Sequence, residues 1–378
     1  MKILFYQWHS FMNKGIENAL IKLNINYDKL FYQQDNWEED KKFEELLTKQ
    51  IKNSNKVYDI VFSVNFAPII SKVCEEIGIK YVSWIYDSPI HIRNLESLKN
   101  SCNYIYMFDR GMVEKFVKMG INAIHMPLAV DTEIFMASVS AKKNCLRQDV
   151  SFVGSLYQTD YGRAVYCLND YDKGYLEGII AAQSKVNMAY IIPDLINQSY
   201  IDKINGIYEQ KKFDLEMEKR ELEYLLATEV TGRERYSTLQ LLANHFDVKL
   251  YTGSDTSMLK DIHSSGYIDY YDDMPAVFAN SRINLNISLC AICTGIPLRA
   301  VDIMGCGGFL MTRPSVEIYE YLAVGHECET YENLEDLYYK TQFYLKNDEL
   351  RRKIAIAGLQ KIQRAFTFED RIKAMLKI

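Results

Sequence analysis

No segment of this 378-residue sequence has the roughly eighteen uninterrupted apolar residues that a membrane-spanning helix needs. Long runs of lysine and arginine are also missing, and the formal net charge is −6, so nucleic acid is not the expected partner. The first apolar run, Ile3–Tyr6, has only four residues. That is too short for a signal-peptide core and is typical of a buried strand, so we expect a cytoplasmic location. No G-x-G-x-x-G follows this strand, which disfavours a dinucleotide-binding enzyme.

The eight cysteines lack the close spacing of a disulfide framework, which indicates reduced thiols. Cys290 and Cys293 form a single C-x-x-C pair, with Cys306 as the one further ligand nearby. The pair follows a predicted strand, whereas a redox pair would begin a helix. We therefore interpret these cysteines as small packed residues and predict no metal site.

Apolar segments typical of buried strands alternate with helical segments along most of the chain. This alternation predicts an α/β fold with doubly wound parallel sheets, and the length suits two domains. Residues 137–148 lack periodicity and indicate a linker. We predict a first domain over residues 1–137, a linker over 138–148, a second domain over 149–365 with a helical insertion at about 169–227, and a final helix over 366–378.

The most informative stretch is Gly295–Met311, GIPLRAVDIMGCGGFLM. Pro297 suits the first position of a short helix, and Gly305 suits the left-handed position just past its end. Arg299 and Asp302 are three residues apart and share one face of that helix. A carboxylate there could hold the hydroxyls of a ribose while the helix start faces phosphate. The alternative is an ordinary surface Arg/Asp pair.

This order of a strand, a glycine loop, a Pro-Leu-Arg-x-x-Asp helix and a Cys-Gly-Gly turn resembles the nucleotide-sugar half of GT-B glycosyltransferases. The likeness is greatest to the bacterial spore-maturation (CgeB-like), family 4-like branch. FVGSLY resembles the start of the same half, and WIYDSP, MFDRGMVEKFVKMG and HMPLAVDTEIF resemble the other half. The resemblance implies two Rossmann-like domains that face a cleft, with a C-terminal helix crossing back to the first.

The resemblance also implies a donor site for a nucleotide sugar, UDP-linked in most look-alikes. Arg299 would stabilise the departing diphosphate and Asp302 would bind ribose. The remaining donor residues that it implies are backbone or pocket contacts at Thr294, Gly295, Leu298, Gly154, Ser155, Arg163, Gly253 and Tyr270. In the wider family an acid that contacts the donor sugar lies eight residues before the second acid, and Thr294 occupies that position here. Arg163 could equally be a solvated surface residue, and Tyr270 a core residue.

Two residues are candidates for the acceptor side. Asp87 follows a predicted strand in the sequence Asp87-Ser88-Pro89. Its carboxylate could act as a general base on an acceptor hydroxyl, or it could cap a turn. His9 lies in the loop after the first strand, where it either meets a ligand or has a structural role.

These observations favour a glycosyltransferase that moves a sugar from a nucleoside diphosphate to an unknown glycan, protein or small-molecule acceptor. No Asp-x-Asp stands on a predicted strand-end loop, which suggests a metal-independent enzyme without a required cofactor. Two alternatives stay open. One is an inactive GT-B-like module that binds glycan or protein, and the other is a nucleotide-sugar epimerase of the same fold.

Overall fold

The computed structural model describes residues 1–52, 57–90, 92–142 and 148–377. The chain forms two compact units, of which the first contains Met1–Asp131 and Ile362–Ile378 and the second contains Thr132–Lys361. Each unit is built on one six-stranded sheet, and all strand pairings in both sheets are parallel. The predicted α/β fold with two doubly wound parallel sheets is therefore confirmed.

The sheet of the first unit has the strand order β2-β1-β3-β4-β5-β6. Its strands are β1 (Lys2–Gln7), β2 (Asn26–Phe31), β3 (Ile60–Val64), β4 (Lys80–Ile85), β5 (Asn103–Met107) and β6 (Ala123–His125). The helices between these strands are α1 (Asn13–Lys22), α2 (Lys41–Lys52), α3 (Pro68–Ile77) and α4 (Arg110–Lys118), with a 3₁₀ helix at Leu95–Lys99. Strand β3 is buried along its whole length, as expected for a strand covered on both faces.

The sheet of the second unit has the order β12-β11-β10-β7-β8-β9. Its strands are β7 (Gln148–Val153), β8 (Val248–Tyr251), β9 (His263–Ser264), β10 (Ser281–Asn286), β11 (Leu310–Thr312) and β12 (Glu329–Thr330). The helices between residues 132 and 365 are α5 (Thr132–Ala141), α6 (Tyr161–Val165), α7 (Asp170–Ser184), α8 (Ile192–Leu195), α9 (Gln198–Gln210), α10 (Lys219–Ala243), α11 (Met274–Asn280), α12 (Leu298–Gly305), α13 (Val316–Tyr321), α14 (Leu334–Lys346) and α15 (Asp348–Ala365).

The strand order of the second sheet reverses between β7 and β10. From β7 the chain runs outward to β8 and β9, returns to β10 beside β7, and then continues to β11 and β12 on the other side. Connections on the two sides of such a point diverge and leave a crevice at the carboxyl ends of the strands, where ligands of doubly wound sheets bind. The sheet thus defines where a site in this unit is expected.

Several predicted boundaries in the second unit are wrong. Residues 138–141 of the predicted linker continue helix α5, and residues 143–147 lie outside the described part of the chain. The insertion predicted to end near residue 227 has no break there, because α10 is one helix from Lys219 to Ala243. A strand predicted over Gly266–Tyr270 is irregular backbone, and the short edge strand β9 precedes it.

The last helix, α16 (Phe368–Leu376), belongs to the first unit. The guanidinium of Arg371 donates to the carbonyl of Pro127 at 3.0 Å and to that of Ala365 at 2.6 Å. The ring of Phe368, only 4% exposed, packs on helix α1 at Gly15. A Cβ at residue 15 would stand 2.4 Å from Cε2 of that ring, so only glycine allows this close packing.

Gly15→Ala should therefore destabilise the first unit. Overpacking of this kind costs roughly 1–3 kcal/mol, which chemical denaturation followed by far-UV circular dichroism would measure. Gly174→Ala in α7 is the matched control, because a Cβ there meets nothing within 4 Å, and it should leave the unfolding free energy unchanged or raise it. Equal stability of the Gly15→Ala variant and wild type would contradict the packing described.

Candidate functional site

The loops at the carboxyl edge of the second sheet converge on one turn of helix α10, residues 231–235, Thr-Gly-Arg-Glu-Arg. Thr231 binds the loop after β10, since its Oγ1 accepts a hydrogen bond from the backbone N–H of Cys290 at 3.0 Å. Gly232 lets the loop after β7 lie directly on the helix, because a Cβ there would be 2.7 Å from the carbonyl oxygen of Tyr157. Glycine is unfavourable inside a helix, but here it is the residue that lets the carbonyl of Tyr157 approach the helix backbone this closely.

Arg235 bridges the two loops that flank the switch point. Its Nη1 donates to the carbonyl of Ser155, after β7, and its Nε donates to the carbonyl of Ile287, after β10, at 3.2 Å. The guanidinium also stacks over the ring of Tyr157, 4.2 Å from its centroid. Arg235 is only 8% exposed, and burial lowers its pKa from the usual value. Because this guanidinium is buried and hydrogen-bonded to both loops, it fixes the distance between the loop after β7 and the loop after β10.

The neighbouring residues of this turn extend the network to the loop after β11. Glu234 accepts a hydrogen bond from Nη1 of Arg313 at 2.7 Å, and Nη2 of Arg313 donates to Asn187 at 2.8 Å. Burial raises the pKa of Glu234. Arg233 pairs with Glu177 of α7 at 2.6 Å. A charged run of this kind on a helix is usually solvated, but here Arg235 is buried and Glu234 is only partly exposed.

Helix α12 begins one residue later than predicted and ends one position later. Pro297 is its N-cap residue, in an extended conformation, and Leu298 is the first helical residue. Gly305 is the last helical residue, and the left-handed conformation falls on Gly307, with φ of 73°. The expected left-handed glycine is present, but it is Gly307 instead of Gly305.

Arg299 and Asp302 share one face of α12, as predicted, and form an ion pair of 3.3 Å. The carboxylate is fully buried, and its other oxygen accepts a hydrogen bond from the hydroxyl of Tyr270 at 2.7 Å. Burial raises the pKa of Asp302 from 3.8 to about 6, while Arg299 and Tyr270 oppose the rise. Arg299 is about one-third exposed and lies over the ring of Phe278.

This geometry bears on two of the predicted roles. Both carboxylate oxygens of Asp302 are engaged inside the protein, one by Tyr270 and the other by Arg299, and its contact with ribose stays a prediction. Tyr270 does not line an open pocket, because its ring is 7% exposed and packs on Phe135. Arg299 is the partly exposed member of the cluster.

Thr294 lies in the loop before α12, next to the buried Gly295 and ahead of Leu298 in the first helical turn. Its Oγ1 donates to Oε1 of Glu317 at 2.8 Å, and its carbonyl accepts the N–H of Glu317 at 3.0 Å. Glu317 is fully buried in the first turn of α13. The carboxylate of Glu317 therefore contacts Thr294, and it comes from an element that the sequence pattern did not indicate.

The other predicted donor residues occupy the same sheet edge with different contacts. Gly154 donates its N–H to the carbonyl of Tyr251 at 3.1 Å, so this amide is used within the sheet. Ser155 holds the loop through its carbonyl and through its Oγ, which accepts the N–H of Tyr157. Gly253 is exposed in the loop after β8.

Arg163 is directed away from the switch point. Its Nη2 donates to the carbonyl of Asp214 at 2.9 Å, and the residue lies on a separate cavity of about 530 Å³ between α6 and α10. A pyrophosphate contact of Arg163 stays a prediction, beside the alternative of a solvated surface arginine.

In the first unit, Asp87 is exposed just beyond the carboxyl end of β4 and accepts a hydrogen bond from Nδ2 of Asn65 at 2.7 Å. The hydroxyl of the next residue, Ser88, donates to the buried carboxylate of Asp109 at 2.8 Å. His9 is exposed after β1, with its ring 5.2 Å from that of Phe31. Asp87 and His9 thus lie at the same sheet edge but are directed toward different strands, β3 and β2.

Cys290 is buried, Cys293 is partly exposed, and the thiol of Cys290 lies against the carbonyl of Ala227 at 3.4 Å. Within the described ranges, no group of three or more His, Cys, Asp or Glu residues is arranged to hold a metal ion. In the same part of the chain, no helix combines the length and the apolar character needed to cross a membrane.

Residues 232–377 match the model of a family described as glycosyl transferase-like. The matched region begins at Gly232 and therefore contains most of the loop-binding turn of α10 as well as α12. No curated protein matches the chain.

Solved structures of glycosyltransferases match the whole chain at low sequence identity. Sucrose-phosphate synthase from Thermosynechococcus elongatus is 11% identical over 100% of this chain and 98% of its own, with a TM-score of 0.54. HepE from Anabaena, in complex with UDP and glucose, is 11% identical over 100% and 99%, with a TM-score of 0.52. A UDP-forming α,α-trehalose-phosphate synthase from Burkholderia xenovorans is 13% identical over 100% and 98%, with a TM-score of 0.53.

The chain therefore has the fold of these glycosyltransferases, GT-B, and its residues 232–377 resemble a glycosyl transferase-like family. The predicted resemblance is confirmed at this level.

The raised pKa of Asp302 makes stability depend on pH. Between pH 3.8 and about 6 the folded protein holds the proton of Asp302 more tightly than the unfolded chain, so the free energy of unfolding falls as pH rises through this window. The shift corresponds to about 3 kcal/mol. Asp302→Asn should remove this fall in the free energy of unfolding. In urea titrations at pH 4 and pH 7, the free energy of unfolding should therefore fall more for wild type than for the variant. Parallel pH profiles for the two proteins would contradict the burial of a titrating carboxyl.

Proposed function

We propose that this chain is a glycosyltransferase of the CgeB-like branch that moves a sugar from a nucleoside diphosphate, UDP in the first instance, to an acceptor hydroxyl. The observation that carries the proposal is the convergence of the loops after β7, β10 and β11 on residues 231–235 of α10, where the strand order reverses. This is where a doubly wound sheet binds its ligand, and the glycosyl transferase-like match covers residues 232–235 of this turn and α12.

UDP is the first choice because of the structures that share the fold. HepE is described in complex with UDP and glucose, and the trehalose-phosphate synthase is described as UDP-forming. The loops after β7 and β8, with Gly154, Ser155 and Gly253, lie on the side of the switch point where the base would bind. Thr294, Gly295 and Leu298 are on the opposite side, at the start of α12, where the diphosphate would bind.

In the reaction that we propose, the bond between the anomeric carbon and the β-phosphate oxygen breaks, and a bond from the acceptor oxygen to that carbon forms. Arg299, which is partly exposed in the first turn of α12, stabilises the charge that develops on the departing diphosphate. Asp302 acts as a positioning residue, because its buried carboxylate holds Arg299 in this orientation. A guanidinium and a helix start can stabilise this charge without a metal ion, so we propose a metal-independent transfer.

The acceptor hydroxyl must lose a proton during transfer. In the first unit, Asp87 is the proposed base, since its carboxylate is exposed at the carboxyl end of β4 and is oriented by Asn65. His9, exposed at the same sheet edge, is proposed to orient the acceptor.

Titration calorimetry with UDP, GDP and ADP, each with and without Mg²⁺, tests the donor site. One nucleotide should bind, and Arg299→Ala should weaken its binding by about tenfold to a hundredfold, because a hydrogen bond to a charged group contributes roughly 1.5–3 kcal/mol. Arg282→Ala is the matched control. Arg282 has a similar exposure and its own ion pair, with Asp149, but it lies at the opposite end of β10.

Wild-type affinity in the Arg299→Ala variant would exclude this arginine from the donor site. If none of the three nucleotides binds to the wild type, the chain is a GT-B-like binding module and not a transferase.

A further inference from the structure

Helix α7 has one buried face and one exposed face. Its buried side includes Leu176, Ile179 and Ile180, which belong to the apolar core shared with α10. The opposite side carries five exposed residues in one stripe at helical spacing, namely Asp170, Gly174, Gly178, Ala181 and the C-cap residue Lys185. We call these five residues the α7 stripe, and the donor site proposed above does not use them.

The two glycines of the α7 stripe lie inside a 15-residue helix, where glycine is less favourable than alanine. Nothing in the described part of the protein requires them, because a Cβ at Gly174 or Gly178 would meet nothing beyond the local helix backbone within 4 Å. At Gly15 and Gly232, by contrast, another element of the same chain lies where a Cβ would be. The α7 stripe therefore allows a close approach that no described element of this chain uses.

Opposite charges stand at the two ends of the α7 stripe. Asp170 and Lys185 are both exposed, and among the described residues neither has an ion pair. They are equally far along the chain from the midpoint between Glu177 and Gly178. If a second α7 lies antiparallel across the first, with a two-fold axis at this midpoint, Asp170 of each copy faces Lys185 of the other. A parallel arrangement would bring the two Asp170 carboxylates together, which is repulsive.

The same two-fold axis also matches the sizes of the residues. It places Gly174 of each copy opposite Ala181 of the other, so the two helices can approach closely where they cross. Tyr171, which is 75% exposed beside the α7 stripe, would be partly covered by the partner helix. A two-fold interface requires one surface to be complementary to itself in this way, whereas a different partner does not. We propose that α7 pairs antiparallel with α7 of a second copy and that the protein forms a two-fold homodimer.

Sedimentation velocity over a wide range of protein concentrations tests this interface. Wild type should change from monomer to dimer as the concentration rises. Lys185→Glu should weaken dimerisation by about tenfold or more, because both contacts with Asp170 change from attraction to repulsion. The double variant Asp170→Lys/Lys185→Glu should restore dimerisation, since the same two charges then face each other in reverse. A loss caused by a change within one chain would not be restored.

Gly178→Leu tests the close approach of the helices. The monomer has room for this side chain, but in the dimer it would lie near the two-fold axis and separate the helices. Dimerisation of this variant should therefore be weakened by about tenfold or more, as expected for a side chain forced into a packed interface.

Lys49→Glu is the matched control. Lys49 is an exposed lysine in the last turn of α2, in the first unit, and like Lys185 it has no ion pair among the described residues. This variant should dimerise like wild type, and circular dichroism should show that every variant is folded. The proposal is overturned if wild type stays monomeric at every concentration, if Lys185→Glu dimerises like wild type, or if the double variant does not recover. Sedimentation needs no nucleotide, so its result does not depend on the donor site.

Discussion

The second unit depends on one buried guanidinium. Arg235 is held inside the protein with its charge, and the carbonyls of Ser155 and Ile287 are its hydrogen-bond acceptors on the two sides of the switch point. A buried charge that loses its partners is costly, by several kcal/mol. Neither loop can therefore move away without leaving that charge partly unpaired. Gly232, three residues before Arg235, allows the loop after β7 to lie close enough to the helix for this hydrogen bond.

This constraint explains how short loops can form a defined site. The loops after β7 and β10 are joined to α10 by hydrogen bonds between side chains of the helix and the backbone of the loops. Helix α12 presents Arg299 from a cluster that contains Asp302 and Tyr270. Groups that are fixed before the ligand arrives stabilise developing charge better than groups that must reorganise. The site proposed for the diphosphate is thus prepared by two buried ion networks, one on α10 and one on α12.

The structural features that depend on a local residue pattern could be predicted from the sequence. Buried strands such as β3 and β4 are apolar runs, and the three-residue spacing of Arg299 and Asp302 is enough to place them on one helix face. Strand β2 was not predicted, because its sequence, NYDKLF, is polar and it lies at the sheet edge. Such a strand is formed by pairing with β1, which no local pattern reveals.

The site was harder to predict because its contacts join distant parts of the chain. The partner of Asp302 is Tyr270, 32 residues away, and the partners of Arg235 are 80 and 52 residues away. Charged runs on helices are usually solvated, so nothing in the local pattern indicates that Arg235 is buried and Glu234 only partly exposed. One signal was present: the glycine at 232 inside a long helical segment, which suggests close backbone approach.

Amide hydrogen exchange, measured by mass spectrometry on Arg235→Lys and wild type, tests the central claim most directly. Lysine keeps the charge but lacks the fork that reaches both carbonyls. If one guanidinium fixes both loops, exchange should accelerate together in residues 154–158 and 287–291, by about tenfold or more for a lost charged hydrogen bond. Acceleration in only one of these segments, or in neither, would contradict the account.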